Sequence, residues 1–313
     1  MRLIRGDLNQ DLLPDGCALT IGNFDGVHLG HQAVIAELIG AARRLAVPAV
    51  LMTFEPLPRE YFAPQQTPAR LTRLREKVLA LADLGLDYLY CQRFNGAFAD
   101  QHADDFIRDI LLDRLRVRHL VVGDDFRFGH NREGDFAKLQ SVGEKHGFAV
   151  ERMPTYPLDG ERISSTRVRD ALVSGRLDQA ARLLGRPYAL SGRVMHGDKR
   201  GRSIGFPTAN LSLGRRCTPV HGVFAVRVRG AAPAPRFGVA NIGRRPTVGG
   251  ERELLEVHLL DYEGDLYGRC LQVELLARLR EEMRFPSLDD LKRQIARDIE
   301  NAHGFFSEHE IRT

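Results

Sequence analysis

The chain is 313 residues long, enough for two domains of ordinary size with separate cores. Its 43% hydrophobic and 27% charged residues, with no low-complexity tract, are those of a soluble globular protein, and no apolar run approaches membrane-spanning length. The formal charge of +4 suits anionic substrates but is too small and dispersed to argue for nucleic acid.

The first residues, Met1-Arg2-Leu3-Ile4-Arg5-Gly6-Asp7, lack the long apolar core of a signal peptide. Cys17, Cys91, Cys217 and Cys270 are far apart and form no Cys-x-x-Cys pair, so reduced thiols in a cytoplasmic protein are expected rather than disulfides or zinc. Neither a nucleic-acid nor a membrane partner is expected, and the oligomeric state is left open.

Cys17 to Ile21 reads as a buried strand, and Val34, Ile35, Leu38, Ile39, Ala42 and Leu45 repeat at helical spacing. Between them runs Gly22-Asn23-Phe24-Asp25-Gly26-Val27-His28-Leu29-Gly30-His31-Gln32. It is a strand, a glycine-punctuated turn and a helix start with one histidine on each side. Backbone N–H groups and the positive end of the helix dipole converge there, a natural place for phosphate. Gly22, Gly26 and Gly30 let the backbone approach a ligand, and His28 and His31 can donate to phosphate oxygens. A plain turn with two solvated histidines is the alternative; zinc would need a third ligand that is not nearby.

Strands follow at Ala49–Phe54, Tyr88–Cys91, His119–Gly123 and Phe148–Val150, alternating with helices at Thr72–Leu84, Ala103–Leu115 and Asp135–His146. Leu74, Val78, Leu81 and Ala82 form the apolar face of the first of these helices. The alternation predicts a parallel sheet with helices on both faces and ligands at the carboxyl ends of the strands. By that rule Asp124-Asp125-Phe126-Arg127-Phe128-Gly129 faces the ligand crevice. Phe54, with Tyr61 and Phe62 close behind, either walls a flat ring or packs its loop. Ile163-Ser164-Ser165-Thr166-Arg167-Val168-Arg169 opens a helix; either Ser164 or Ser165 is simply an N-cap, or the hydroxyls and Arg167 add donors for a triphosphate.

From Tyr188 the pattern changes to short alternating runs, Val223–Val228, Leu255–Leu259 and Leu271–Leu275, which predict an antiparallel sheet or small barrel. The expected domains are therefore 1–185 and 186–313. A final helix is capped by Ser287 with Asp290 three residues on, and Leu288, Leu291, Ile295 and Ile299 form its face. Gly197 to Gly205 is a basic, glycine-rich loop without P-loop spacing, leading into Phe206-Pro207-Thr208-Ala209-Asn210. Glu256, in a strand of apolar residues, either faces solvent by the two-residue alternation or acts as a base in a pocket.

These motifs resemble a known family. The histidine turn with the later Ile-Ser-Ser-Thr-x-x-Arg is similar to the paired signature of the His-x-Gly-His nucleotidyltransferases. Val122-Gly123-Asp124-Asp125-Phe126-Arg127-Phe128-Gly129 is similar to the version in bacterial bifunctional riboflavin kinase/FMN adenylyltransferases, the prokaryotic FAD synthetases. In the second half, Gly205-Phe206-Pro207-Thr208-Ala209-Asn210, the segments 238–247 and 255–261, and Asp265-Leu266-Tyr267-Gly268 look like the riboflavin kinase motifs in family order.

The resemblance implies a Rossmann-like α/β domain that adenylylates FMN to FAD and a six-stranded antiparallel barrel that phosphorylates riboflavin, with ATP as co-substrate and Mg²⁺ as cofactor. It implies that Gly22, Phe24, His28, His31, Asp125, Ser164, Ser165 and Arg169 hold the first nucleotide, Asp125 by positioning rather than as a base. It further implies that Gly197, Gly205, Pro207, Thr208 and Asn210 hold the second, with Thr208 and Asn210 at the metal, and that Glu256 is the kinase base. Phe54, Phe62 and Phe128 are the expected flavin-stacking aromatics. An adenylyltransferase with another acceptor would leave the Pro-Thr-Ala-Asn half unexplained; a barrel that only binds flavin or RNA is the other alternative, and loss of Glu256 should then change little.

Overall fold

The computed structural model describes residues 1–5, 13–196, 205–214, 217–247 and 250–309, with the side chains of 245–247 and 250–252 left aside. The expected site residue Gly197, with most of its basic loop, lies outside the described residues. Contacts divide the chain into two units, Met1–Pro68 with Thr72–Ser165, and Ala69–Leu71 with Thr166–Thr313.

The first unit is a wholly parallel six-stranded sheet. Its strands are β1 (Arg2–Arg5), β2 (Cys17–Ile21), β3 (Ala49–Glu55), β4 (Tyr88–Arg93), β5 (Val117–Gly123) and β6 (Ala149–Met153), in the order β1-β4-β3-β2-β5-β6. β2 is buried at every position, as a central strand covered on both faces must be. The chain builds outward from β2 in one direction and from β5 in the other, so the topological switch point lies between them, where such sheets bind ligands. The histidine turn leaves the end of β2 and the Asp124–Gly129 loop leaves the end of β5.

Between the strands lie α1 (Leu29–Leu45), α2 (Pro58–Phe62), α3 (Leu74–Leu81), α4 (Gly96–Ala99), α5 (Ala103–Asp105, continuing as a π-helix over Phe106–Arg114) and α6 (Phe136–His146). Two apolar cores result, one containing Phe106, Ile110 and Leu111 and the other Ile35, Leu38 and Leu81. The sequence pattern missed β1, whose four residues offer two apolar side chains at an edge. It also placed Ala82 on the buried face of α3. Ala82 is exposed, because the α-helix tightens into a 3₁₀ turn over Ala82–Leu84 and the 3.6-residue period no longer holds. A two-stranded ribbon, β7 (Pro157–Leu158) with β8 (Glu161–Arg162), precedes α7 (Ser165–Val173).

The second unit is a closed antiparallel barrel in the order β10-β13-β12-β11-β14-β9. Its strands are β9 (Ala189–Met195), β10 (Ala209–Ser212), β11 (Gly222–Arg229), β12 (Arg236–Thr247), β13 (Gly250–Leu259) and β14 (Cys270–Arg280). Leu255, Val257 and Leu259 point into the barrel while Glu256 and His258 point out. α8 (Leu177–Leu184) ends at Gly185 in the left-handed conformation and packs on β14. The terminal helix α9 (Leu288–Glu308) is capped by Ser287, whose hydroxyl oxygen accepts from Asp290 N at 3.1 Å. Leu288, expected on its buried face, is exposed; the helix is buried further along, at Asp298, Ala302 and Phe306. Leu291, Ile295 and Ile299, on the same face, are half-buried and line a cavity against the barrel.

Candidate functional sites

The turn after β2 is built under strain. Phe24 and Val27 are buried with φ of 45° and 46°, and Gly26 has φ of 88°. The segment that follows α2 holds it in place. Asp25 accepts from Thr72 N at 2.9 Å, and Gly26 N donates to Thr72 Oγ1 at 2.9 Å. Lys77, only 1% exposed, donates to the carbonyl of Asn23 at 2.6 Å and to Thr53 Oγ1 at 2.9 Å. Ser165 Oγ donates to Asp25 O at 2.8 Å, which brings the expected hydroxyl cluster to the turn but commits that proton to the protein.

His28 is the N-cap of α1, its Nδ1 accepting from His31 N at 3.2 Å. That bond assigns the neutral-ring proton to Nε2, which remains a donor. The two imidazoles stack with centroids 3.6 Å apart and planes 13° apart, and Phe24 lies 5.0 Å from the His31 ring. A Cβ on Gly30 would stand 3.3 Å from the His28 ring, so the glycine makes room for the stack. The arrangement offers ring N–H groups beside a helix N-terminus, which suits anionic oxygen.

Beside it in the same unit opens a cavity of about 460 Å³, within the range of small-molecule sites. Ile21, Phe54, Phe94, Phe98, Phe106 and Phe128 line its apolar part, and Phe62, 66% exposed, stands at its edge. All three expected aromatics therefore meet in one cavity. Phe94, Phe98 and Phe106 were missed as site residues; each sits near a strand end or on a helix, where an aromatic reads as core. Asp125 is not among the lining residues. It is exposed and accepts from Arg162 Nη2 at 3.1 Å. Ser164 is half-buried immediately before α7. Arg169 belongs to the second unit, where its Nε donates to Ala69 O at 2.7 Å.

In the second unit two cavities share a wall. One, of about 530 Å³, is lined by Pro207, Thr208, Tyr262, Asp265, Leu266 and Tyr267 among others. The other, of about 340 Å³, is lined by Phe206, Thr208, Asn241, Glu256, Leu291, Ile295 and further residues of β14 and α9. Thr208 lines both. Glu256 does not simply face water: it stands between Asn210 on β10 and Asn241 on β12 and opens into the second cavity. His258 donates from Nδ1 to the Pro207 carbonyl at 2.8 Å, fixing the segment that carries Thr208. Gly205 precedes that segment with φ of 89°.

The outer wall of the second cavity is secured by Arg280 of β14 and Asp298 of α9. Asp298 is 2% exposed and accepts from Arg280 Nη2 at 2.8 Å and from Gln294 Nε2 at 2.9 Å. Among the described residues no cluster of three or more His, Cys, Asp and Glu could hold a metal ion, and no helix is long and apolar enough to cross a membrane.

Two family models match the chain, one described as FAD synthetase over residues 11–167 and one as riboflavin kinase over residues 184–306. A protein of Escherichia coli, named bifunctional riboflavin kinase/FMN adenylyltransferase, is 55% identical over 307 residues, 98% of each chain. The chain belongs to the bifunctional riboflavin kinase/FMN adenylyltransferase family. A Haemophilus influenzae member is 49% identical over 98% of this chain and all of its own length. A solved Streptococcus pneumoniae chain, described as a macrolide-efflux protein, has a TM-score of 0.82 at 31% identity over 97% of this chain and 99% of its own. As a member of the family the chain is a transferase with both catalytic domains, adenylyltransferase first and kinase second. The parallel sheet and the closed barrel are the two folds that the motifs predict.

Proposed function

We propose that the barrel phosphorylates riboflavin to FMN with ATP, and that the N-terminal unit then transfers AMP from a second ATP to FMN, giving FAD and pyrophosphate. The observation that carries this reading is Thr208, which stands at the meeting of a cavity large enough for a nucleotide and a partly apolar cavity that contains Glu256.

In the kinase half, ATP occupies the cavity lined by Tyr262 and Tyr267, and the flavin occupies the one under α9. The terminal ribityl hydroxyl attacks the γ-phosphorus, its proton passes to the Glu256 carboxylate, and the bond from the γ-phosphorus to the bridging oxygen breaks to release ADP. An alcohol nucleophile requires such a base. Asn210 and Asn241, opposite Glu256 across the strands, orient the groups around it. Thr208, immediately before β10, and Asn210, on it, offer neutral hard oxygens. That donor set fits Mg²⁺ carried mainly by phosphate. When bound, the ion neutralises charge gathering on the phosphates.

In the adenylyltransferase half a phosphate oxygen of FMN attacks the α-phosphorus of ATP and pyrophosphate leaves. That nucleophile is already anionic, so alignment and charge neutralisation suffice. His28 and His31 donate to the phosphate oxygens beside the α1 N-terminus. Gly22 and Phe24 shape the turn, Ser165 holds it through the Asp25 carbonyl, Ser164 serves the same nucleotide, and Phe54, Phe62 and Phe128 enclose the flavin ring. The functional boundary is placed at residue 185, beside the start of the riboflavin kinase match at residue 184. An ATP-consuming enzyme of this kind works in the cytoplasm.

The test is chromatographic. Riboflavin, ATP, Mg²⁺ and protein are incubated and the three flavins followed in time. FMN rising first and FAD after it is the expected course. FMN that accumulates without FAD would overturn the first half of the reading, and no FMN at all would overturn the second.

A further inference from the structure

One end of the cavity in the first unit differs from the rest. Its floor is aromatic, but its lip carries Asn131 and Arg132, both exposed. Both have left-handed backbones, φ of 51° and 61°, and follow Gly129 at 76°. Such conformations are unfavourable for residues with a Cβ, least so for asparagine. A strained residue often repays its strain through its own side chain, as in a cap or turn. Neither side chain makes a hydrogen bond or ion pair among the described residues.

The turn is nevertheless held firmly. Gly129 packs against Ala103, where a Cβ would come within 2.8 Å of its backbone. His130 N donates to Gln101 O at 2.8 Å, and Glu133 accepts from Ala103 N at 2.7 Å. Phe128 and Gly134 close the base with a pair of backbone bonds of 3.2 and 2.9 Å. A rigid support thus presents two unengaged polar groups at the mouth of an apolar cavity.

We infer that this turn is the specificity element of the adenylyltransferase site and that Asn131 reads the imide edge of the flavin. The inference rests on the reading of this unit as the FMN site. Isoalloxazine is apolar at its dimethylbenzene end and carries C2=O, N3–H and C4=O at the other. An aromatic floor and a polar lip match that polarity. A carboxamide, with one acceptor and two donors, is the direct complement of N3–H beside a carbonyl. Arg132 adds donors for the remaining carbonyl.

The test compares FMN with its N3-methyl analogue, which lacks the N3 proton, in wild type, Asn131→Ala and Asn131→Gly, each as the full chain. Wild type is expected to favour FMN in kcat/KM by about fivefold, the worth of one neutral hydrogen bond. Both variants are expected to lose that preference through KM for FMN, while KM for ATP in FAD formation and KM for riboflavin in FMN formation stay unchanged. Asn131→Gly keeps the left-handed turn and removes only the amide. If it retains the wild-type preference, the asparagine serves the backbone alone and the inference falls. Wild type that does not distinguish the two flavins would also overturn it. Wild type that makes no FAD from FMN would instead remove the reading on which it rests.

Discussion

Asn210 and Glu256 stand directly opposite each other across β10 and β13, with Asn241 facing Glu256 from β12 on the other side. The carboxylate is thus the centre of a three-strand row of polar side chains on the outer face of the barrel wall. Glu256→Gln preserves size and hydrogen-bonding capacity but cannot take a proton. It is expected to reduce FMN formation from riboflavin by about 10²- to 10⁴-fold, and to leave FAD formation from supplied FMN unchanged. Equal loss of both activities would show that the substitution damages the fold.

His28 has two jobs that substitutions can separate. His28→Asn retains an acceptor at the N-cap, whereas His28→Ala loses the cap and about 1 kcal/mol with it. Both are expected to lower FAD formation by about 10²- to 10³-fold, the worth of an oxyanion donor, with FMN formation untouched. Thermal unfolding separates them, since only the alanine variant melts earlier. Normal FAD formation by the asparagine variant would limit His28 to capping.

Lys77 braces the histidine turn from beneath. Lys77→Met keeps the volume but leaves Thr53 Oγ1 and the Asn23 carbonyl short of a donor, at about 1–3 kcal/mol. For a unit of this size the melting temperature falls by about 2–4 °C per kcal/mol. FAD formation is expected to fall further than FMN formation, because the displaced backbone belongs to the first unit. An unchanged melting temperature would contradict the bracing.

Glu253, 8% exposed at one end of the barrel, makes the fold sensitive to acid. Burial alone would raise its pKa, but hydrogen bonds and charge from His221, with a bond from Thr218, outweigh burial and hold it below the ordinary carboxylate value. A carboxylate with a depressed folded pKa stabilises fully above its unfolded pKa, about 4.3. That contribution is lost as pH falls through the folded value. Wild type should therefore exceed Glu253→Gln in stability to urea, followed by circular dichroism, most clearly near pH 6–7. The gap should close below about pH 4. A gap independent of pH would contradict the ionised form.

Much of the fold and of both candidate sites was legible in the chain because the relevant signals are local. Strand, glycine turn and helix periodicity around His28 are adjacent in sequence, and so are the residues of Pro207–Asn210. Glu256 was ambiguous because alternation says only that it leaves the barrel interior; α9, more than thirty residues later, turns that outer face into a cavity. Lys77 and Thr72 gave no signal, because an amphipathic helix with one lysine on its flank looks the same whether the ammonium meets water or a buried carbonyl. Phe94 and Phe106 are buried and Phe98 packs half-buried against both, yet one side of that cluster is open. Asn131 and Arg132 were unreadable because φ is not written in side-chain type.

Two active sites that act in sequence on one chain complement each other in trans when FMN leaves the first before it reaches the second. Glu256→Gln and His31→Ala proteins, each given riboflavin, ATP and Mg²⁺ alone and then mixed in equal amounts, test it most directly. Alone, the first is expected to leave riboflavin unconsumed and the second to stop at FMN; mixed, they are expected to make FAD. A mixture that makes no FAD, although each variant retains its remaining activity, would contradict the account.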